Sequence, residues 1–440
     1  MRGEDVTNAV SVMCLRALEE VRLVYPTVGI CWHEGTPEEL MRLGCRIIAQ
    51  GLGSPAVFND EVIARGLRAY GVSEEDATSY INSTCVEITP IANSNVWVAS
   101  PYYNCPGALL GVLEDVASGD GAAPKSFEAL VEAFKAKLSG HVREAVRGID
   151  RAWKGRERQG GMPLQSCLTD DCLARGKDID SGGARYNWVE CSFVGLANLV
   201  DSLVVLKELV FEEKRFTLPE FYRILQDNFE GQEPLRQEIL NRMPKYGNDD
   251  DRADELAVEM TNAFAEICAS HRIGPAWRSD RSEGHRYAPG LFCWVMHERL
   301  GSETGATPDG RLAGFPLADG AGPAQGRERF GPTGAIKSTT KWRHEPMLGG
   351  LVLNLKFSRS ALDGDEALEN LRHLIESYMR LGGFEVQVNV VDRETLLDAQ
   401  QHPEAHQDLL VRVAGYSDYF VHLNPNMQAE VIARTEYEEV

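Results

Sequence analysis

Two short stretches hold residues whose types and spacing could do chemistry. In "INSTCVEITP" (81–90), Cys85 stands two residues before Glu87 and Pro90 closes the segment. On a strand, positions two apart face the same way, and in a tight extended loop they can enter one pocket. A neighbouring carboxylate raises a thiol pKa, so this pair is poorly suited to thiolate attack. It suits a thiol that exchanges a hydrogen atom and a carboxyl that moves a proton. In "LLVRVAGYSDYFVHL" (409–423), Gly415 sits among strand-forming and aromatic residues. A glycine there signals a turn with positive φ or a close backbone approach. Taken alone, Cys85 reads as a packing thiol beside a surface glutamate, and Gly415 as a turn glycine.

Other chemistries find less support. HExxH, GxxxxGKS/T, GxGxxG and GxSxG patterns are absent. "GLGSPA" (51–56) is too short a match to a phosphate-binding loop. The 10 histidines are scattered without metal-ligand spacing, and no iron–sulfur cluster motif occurs. A Ser/His/Asp triad is not a local pattern and stays open. The 10 cysteines form no CxxC pair, and the N-terminus "MRGEDVTNAV" lacks an apolar signal core. Free thiols and a cytoplasmic location are expected.

The elements that must position these residues are partly legible. Thr36-Pro37-Glu38-Glu39 predicts a helix start, with Thr36 as cap, Pro37 in the first helical position and Glu39 completing a capping box. Leu40, Leu43, Ile47 and Ile48 follow at helical spacing, and Gly51 can end the helix. Further helices are predicted over 126–153, 194–213 and 251–270. "LVLNLKF" (351–357) and "FEVQVNVV" (384–391) alternate with period two and flank a helical stretch, which predicts a parallel strand–helix–strand unit. The Gly- and Pro-rich segment 301–334 predicts a long ordered loop. After Gly415, Asn424 and Pro425 predict the cap and first turn of a last helix that buries Met427 and Val431.

Composition sets outer limits. A chain of 440 residues with 43% hydrophobic and 25% charged residues has the mix of a soluble globular protein. Its length suits about two to three domains or one large one. No apolar run reaches membrane-spanning length. The net charge of -21 would repel a polyanion, which argues against nucleic acid as a partner.

Many short motifs, in order, give the chain a resemblance to the glycyl radical enzyme superfamily, which contains pyruvate formate-lyase and the radical diol and glycerol dehydratases. They are "CVE" (85–87), "GGARYNW" (182–188), "DSLVVLKELVFEEK" (201–214), "KYGNDD" (245–250), "TGATPDGRLAGFPLADG" (304–320), "GPTGAIKS" (331–338), "LVLNLKF", "VQVNVVD", "LLVRVAGYSDYF" and "ARTEY" (433–437). The resemblance implies an α/β fold, the C-terminal half of a ten-stranded barrel with helices packed outside and the cysteine and glycine loops threaded into its centre. It divides the chain into residues 1–310, carrying the cysteine loop, and 311–440, a glycine radical domain.

The resemblance also assigns roles. Gly415 is the radical store, Cys85 the thiol oxidised to a thiyl, and Glu87 an acid/base toward substrate. A buried glutamate could serve near neutral pH. Arg434, Arg412 and Tyr416 take supporting roles. No bound cofactor is implied; the radical is installed by an S-adenosylmethionine-dependent 4Fe-4S activating enzyme. The expected activity is dehydratase-like elimination or lyase chemistry on a small organic substrate. Alternatives are formate acetyltransferase or arylacetate decarboxylase activity, a non-catalytic spare radical domain, and an inactive truncated homologue.

Some positions depart from the family pattern. Thr84 stands where pyruvate formate-lyase has a second cysteine, so a two-thiol acetyl relay is not expected. Thr84 and Ile88 replace the Gly and Pro of glycerol, diol and choline-type members. "NVWVAS" (95–100) replaces a polar stretch with a substrate-contacting aspartate. The match begins inside the family pattern, so a fragment, a homodimer or a complementing N-terminal chain is expected, because a half-barrel would expose sheet edges and apolar surface.

Overall fold

The computed structural model describes residues 5–22, 24–82, 85–98, 101–273 and 285–440. Thr84 and the last two residues of "NVWVAS" lie outside the described residues. The strands in chain order are β1 (Gly29–Trp32), β2 (Ala56–Asn59), β3 (Tyr80–Asn82), β4 (Ile88–Pro90), β5 (Ser94–Trp97), β6 (Tyr102–Asn104), β7 (Tyr186–Glu190), β8 (Ser192–Val194), β9 (Arg272–Ile273), β10 (His285–Ala288), β11 (Leu353–Phe357), β12 (Glu385–Val390), β13 (Leu410–Arg412), β14 (Ser417–Tyr419) and β15 (Glu436–Tyr437).

The largest sheet runs β1-β2-β12-β11-β15. β1 pairs parallel with β2 across the helix Glu38–Ala49, and β11 pairs parallel with β12 across the helix Asp365–Arg380. Parallel neighbours need a crossover, and these amphipathic helices supply it. The strand–helix–strand unit expected at 351–391 is therefore present. At the join, β2 and β12 run antiparallel with Val57 opposite Val386. A second sheet runs β5-β7-β10-β9, parallel except for the β10–β9 pair. Helices Cys105–Ser118, Phe127–Arg158, Leu196–Leu206 and Asp251–Ala269 pack their apolar residues into the larger core. The fold is mixed α/β, and among the described residues its strands form open sheets rather than a closed barrel.

Several local expectations are corrected. The helix at 38 has no side-chain cap: Pro37 occupies the cap position, and the Thr36 hydroxyl instead accepts the His33 N–H at 2.9 Å. A threonine hydroxyl can satisfy a local turn as readily as a helix end, and here the turn takes it. The helix over 127–158 runs five residues beyond the expected end at 153. Arg156 fixes that extra turn, pairing with Asp180 at 2.9 Å and lying 4.7 Å over the Trp97 ring. The helix expected over 194–213 is α-helical only over Leu196–Leu206 and continues as a π-helix over Lys207–Glu212. The irregular chain between Ser302 and Gly331 is ordered, as expected. Buried Arg311 donates to the carbonyls of Thr304 and Leu312, and Asn198 ties Asp309 and the Ala318 N–H to a neighbouring helix. Asn424 caps the helix Pro425–Ala433, which buries Met427 and Val431.

β12 is buried on both faces. Its valines, Val386, Val388 and Val390, enter the core beside the crossover helices. Strand geometry sends the alternate residues Glu385, Gln387 and Asn389 to the other face. The alternation seen in the sequence is real, but it does not separate core from solvent. It separates an apolar core from a buried polar ladder.

Candidate active site

Cys85 and Gly415 stand on the tips of two hairpins that meet. β3 and β4 pair antiparallel with Asn82 opposite Ile88, so Cys85, Val86 and Glu87 fall in the connection. The Cys85 carbonyl accepts from Asn82 Nδ2 at 3.3 Å, and Ile88 N–H reaches across to the Leu348 carbonyl at 3.1 Å. These bonds hold the tip without a strand partner of its own. Cys85 is partly exposed, whereas Glu87 is only 4% exposed and its Oε2 accepts the Val86 N–H at 3.3 Å. The carboxylate is thus buried, as an acid/base role asks, and not the surface glutamate that the tripeptide alone suggests.

The second hairpin joins β13 to β14, with Arg412 opposite Ser417 and a Val413 N–H to Tyr416 carbonyl bond of 2.9 Å. Gly415 has φ +77, which L side chains rarely adopt. A methyl group added there would lie 2.7 Å from Cys85 Cβ and 2.8 Å from Phe292 Cε2. Both simple readings of this glycine hold together: it is a turn glycine, and its backbone approaches the thiol loop closely.

A buried polar network holds the tip in place. Gly415 N–H donates to Gln387 Oε1 at 3.2 Å, and Gly415 C=O accepts from Arg412 Nη2 at 3.0 Å. Arg412 Nε donates to the same Gln387 oxygen at 2.6 Å. Asn389 pairs with the Arg412 backbone in both directions, at 2.6 and 2.7 Å. Gln387 Nε2 donates in turn to Glu385 Oε1 at 2.7 Å. Burial pushes the Arg412 guanidinium down to about 10, opposed by Glu385. Burial pushes the Glu385 carboxyl up to about 8, opposed by Arg412 and the Gln387 hydrogen bond.

Arg434 grips the hairpin from the last helix. Its Nη1 donates to the Arg412 carbonyl at 3.1 Å and its Nη2 to the Val413 carbonyl at 2.8 Å. Glu430, one turn earlier, takes the same guanidinium on both carboxylate oxygens at 2.8 to 3.1 Å. Burial opposes charge on both partners, but their attraction wins, holding Glu430 well below and Arg434 above their usual values. The Tyr416 phenol is half-buried and, through burial first, is pushed up to about 12.

The six residues singled out in the sequence therefore divide. Cys85, Glu87 and Gly415 sit at the two tips; Arg412 and Arg434 fix the glycine hairpin; the Tyr416 carbonyl closes its turn. Sequence reading passed over Gln387, Asn389, Glu385, Glu430 and Phe292. For the first three the signal was present, as polar residues alternating with valine in "FEVQVNVV". It also set aside "GLGSPA". Gly53 of that stretch has φ +61, and a methyl there would lie 2.9 Å from Ser417 Oγ and 3.2 Å from Arg412 Cβ. The loop backs the glycine hairpin. Among the described residues, no group of three or more His, Cys, Asp or Glu is placed to hold a metal ion, and no helix is long and apolar enough to cross a membrane.

Comparison with known proteins agrees with this architecture. The family described as Pyruvate formate lyase-like matches residues 1–289, and the Glycine radical family matches residues 317–421. The chain is 35% identical to trans-4-hydroxy-L-proline dehydratase of Clostridioides difficile, over 99% of this chain and 55% of that protein. It superposes on the glycerol-bound form of the B12-independent glycerol dehydratase from Clostridium butyricum with a TM-score of 0.92 and 36% identity, covering 99% of this chain and 55% of that one. A structure of 1,2-propanediol dehydration in Roseburia inulinivorans gives a TM-score of 0.92 and 35% identity, covering 98% and 56%. The chain spans about half the length of the curated relatives it matches. By the family match over 1–289 and the glycine-radical match that follows it, the chain belongs to the pyruvate formate lyase-like family of the glycyl radical enzyme superfamily.

Proposed function

We propose that the protein stores a radical on Gly415 and uses it, through Cys85, for dehydratase-like elimination on a small organic substrate. The approach of Gly415 to Cys85 carries this reading: a single added carbon on the glycine would overlap the thiol-bearing Cβ at 2.7 Å. An activating enzyme of the radical S-adenosylmethionine type removes one hydrogen atom from the Gly415 α-carbon. With no Cβ, that carbon can flatten between its amide nitrogen and carbonyl, and both delocalise the unpaired electron. Gly415 then takes the hydrogen of the Cys85 thiol, leaving a thiyl, and the thiyl abstracts hydrogen from substrate. Glu87, buried two residues from Cys85, moves a proton on the substrate radical. Relatives named as dehydratases of trans-4-hydroxy-L-proline and (2S)-3-sulfopropanediol support loss of water as the reaction. Cytoplasmic, oxygen-free operation belongs to the same proposal, since the radical must be kept from oxygen. Residues 1–310 supply the cysteine loop and 311–440 the radical hairpin.

The test is anaerobic incubation with an activating enzyme, read by electron paramagnetic resonance. A carbon-centred doublet is expected, absent in Gly415→Ala and present in Cys85→Ser, which forms the radical but turns nothing over. Brief exposure to air should then cut the chain at Gly415. A silent spectrum with an activator that works on a control enzyme would overturn the proposal.

A further inference from the structure

A second buried carboxyl lies near the cysteine loop. Glu190 ends β7 and is fully buried. Its Oε1 accepts Trp188 Nε1–H at 2.8 Å, while among the described residues its Oε2 has no hydrogen-bond partner. A buried carboxylate oxygen without a partner costs free energy, so such a group calls for a role.

Strand alternation says where it points. Cys191, the next residue, places its sulfur 3.6 Å from Cys268 Sγ on the helix Asp251–Ala269. Glu190 and Trp188 therefore face away from that helix. The end of β7 also meets the cysteine loop through two consecutive glycines. A methyl at Gly349 would lie 2.8 Å from the Cys191 carbonyl, and one at Gly350 would lie 2.8 Å from Val86 Cγ2 and 3.4 Å from the Glu87 nitrogen. The Gly350 position also abuts Phe292, whose ring touches the Gly415 turn. Glu190 thus sits across Gly349–Gly350 from Glu87. Burial pushes its carboxyl well above the usual range, and the charge of Glu87 adds to the rise. The neighbouring strand β5, whose Trp97 pairs with Val189, offers only Ser94, Asn95, Val96 and Trp97. The second carboxyl at this position comes from β7.

We propose that Glu190 is the acid partner of Glu87, a carboxyl whose proton goes to the leaving hydroxyl of the substrate. The inference rests on the elimination reading above. Its substrate class is a small molecule with a hydroxyl beside a carbon that bears an O–H or N–H. Cys85 takes a hydrogen atom from that carbon. The neighbouring C–O bond then breaks; the hydroxyl leaves as water with the Glu190 proton, and Glu87 takes the O–H or N–H proton as the double bond to that heteroatom forms. The product radical recovers its hydrogen atom from Cys85. Proton return from Glu87 to Glu190 restores both groups, and the net change is loss of one water. Two carboxyls in unlike environments, one holding a proton and one accepting it, are what such a step needs.

The experiment compares the protein with Glu190→Gln and Glu190→Asp, each activated anaerobically and offered glycerol, 1,2-propanediol and trans-4-hydroxy-L-proline. Glutamine can accept the Trp188 bond but cannot give up a proton. The same Gly415 doublet is expected in all three proteins. On a probe that the wild type turns over, Glu190→Gln should lose about 100-fold or more in kcat with KM little changed, and Glu190→Asp should recover part of it. Infrared difference spectra of the resting wild type against Glu190→Gln near neutral pH should show a protonated-carboxyl band that the variant lacks. An unchanged kcat in Glu190→Gln, or no such band, would overturn the acid role while leaving the radical reading intact. A wild type that forms no doublet or turns over none of the probes would sink the elimination reading and the acid role with it.

Discussion

Glu385→Gln should make the protein less sensitive to alkaline pH, because it removes a buried carboxyl that resists ionisation. Glu385 is fully buried, and its value rises from 4.5 to about 8 on folding. The folded state therefore holds this proton more tightly than the unfolded chain does. The resulting stability is fully present below about 4.5 and is lost as pH rises through about 8. At about 1.4 kcal/mol per pH unit, that interval is worth about 5 kcal/mol. Glutamine copies the neutral form: its oxygen can still accept from Gln387 Nε2, as Oε1 does at 2.7 Å. Its nitrogen falls where Oε2 already has no hydrogen-bond partner among the described residues.

Guanidinium denaturation of both proteins from pH 5 to pH 9, with midpoint and slope read together, measures the difference. The two should have similar stability near pH 5. Glu385→Gln should be the more stable by several kcal/mol near pH 9. A gap that does not change from pH 5 to pH 9 would refute the reasoning, since it would mean that Glu385 ionises in the folded state at least as freely as in the unfolded chain, with Arg412 outweighing burial.

Two further expectations concern the glycine hairpin. Gly53→Ala adds strain at φ +61 and presses on Ser417 and Arg412, so it should cost about 1–3 kcal/mol; Gly119→Ala, with φ +83 and open space around it, should cost less, and equal losses by denaturation would remove the contact from the account. Arg434→Lys should lose the two-pronged bond to Glu430 and the grip on the Arg412 and Val413 carbonyls, with about 2–4 kcal/mol of stability and faster protease nicking around Gly415; an unchanged nicking rate would show that the hairpin holds without it.

What the sequence revealed depended on how local each constraint was. Cys85, Glu87 and Gly415 each lie in a short motif that alone suggests only a packing thiol and a turn glycine; the ordered run of motifs along the chain made them stand out. The helix Pro425–Ala433 was legible because its cap, proline and buried face fall within a few residues. The crossover between β11 and β12 was legible from period and length alone. Non-local facts were not. Thr36 had the right spacing for a capping box, but the turn at His33 competed for its hydroxyl. "FEVQVNVV" showed its alternation, yet nothing nearby said that the polar side would be covered by a hairpin 25 residues on, where Arg412 meets Gln387. Gly53 and Ser417 lie 364 residues apart, and only the folded sheet brings them together. Glu190 ends a strand of mostly buried residues, and its proposed role comes from Glu87, in the connection between β3 and β4.

Hydrogen-bond accounting explains why the polar ladder belongs to the glycine. A hairpin tip usually leaves its amide groups to water, because the turn cannot pair them. Gly415 is buried, so water cannot serve, and the flanking strands are too short to reach it. Gln387 and Arg412 replace the water, one on each side of the α-carbon. Those two groups must themselves be satisfied in the interior. Glu385 answers Gln387, and Asn389 answers the Arg412 backbone. Each polar residue on this face of β12 is thus required by the one before it, and the chain of requirements begins at the glycine. An apolar face on β12 would pack as well against a sheet, but it would leave the Gly415 N–H unpaired in a buried turn and take the Gln387 acceptor from Arg412, the group that holds the Gly415 carbonyl. Under the radical proposal these are the same two groups that share the unpaired electron, so the bonds that let the tip be buried also fix the plane in which the radical would lie.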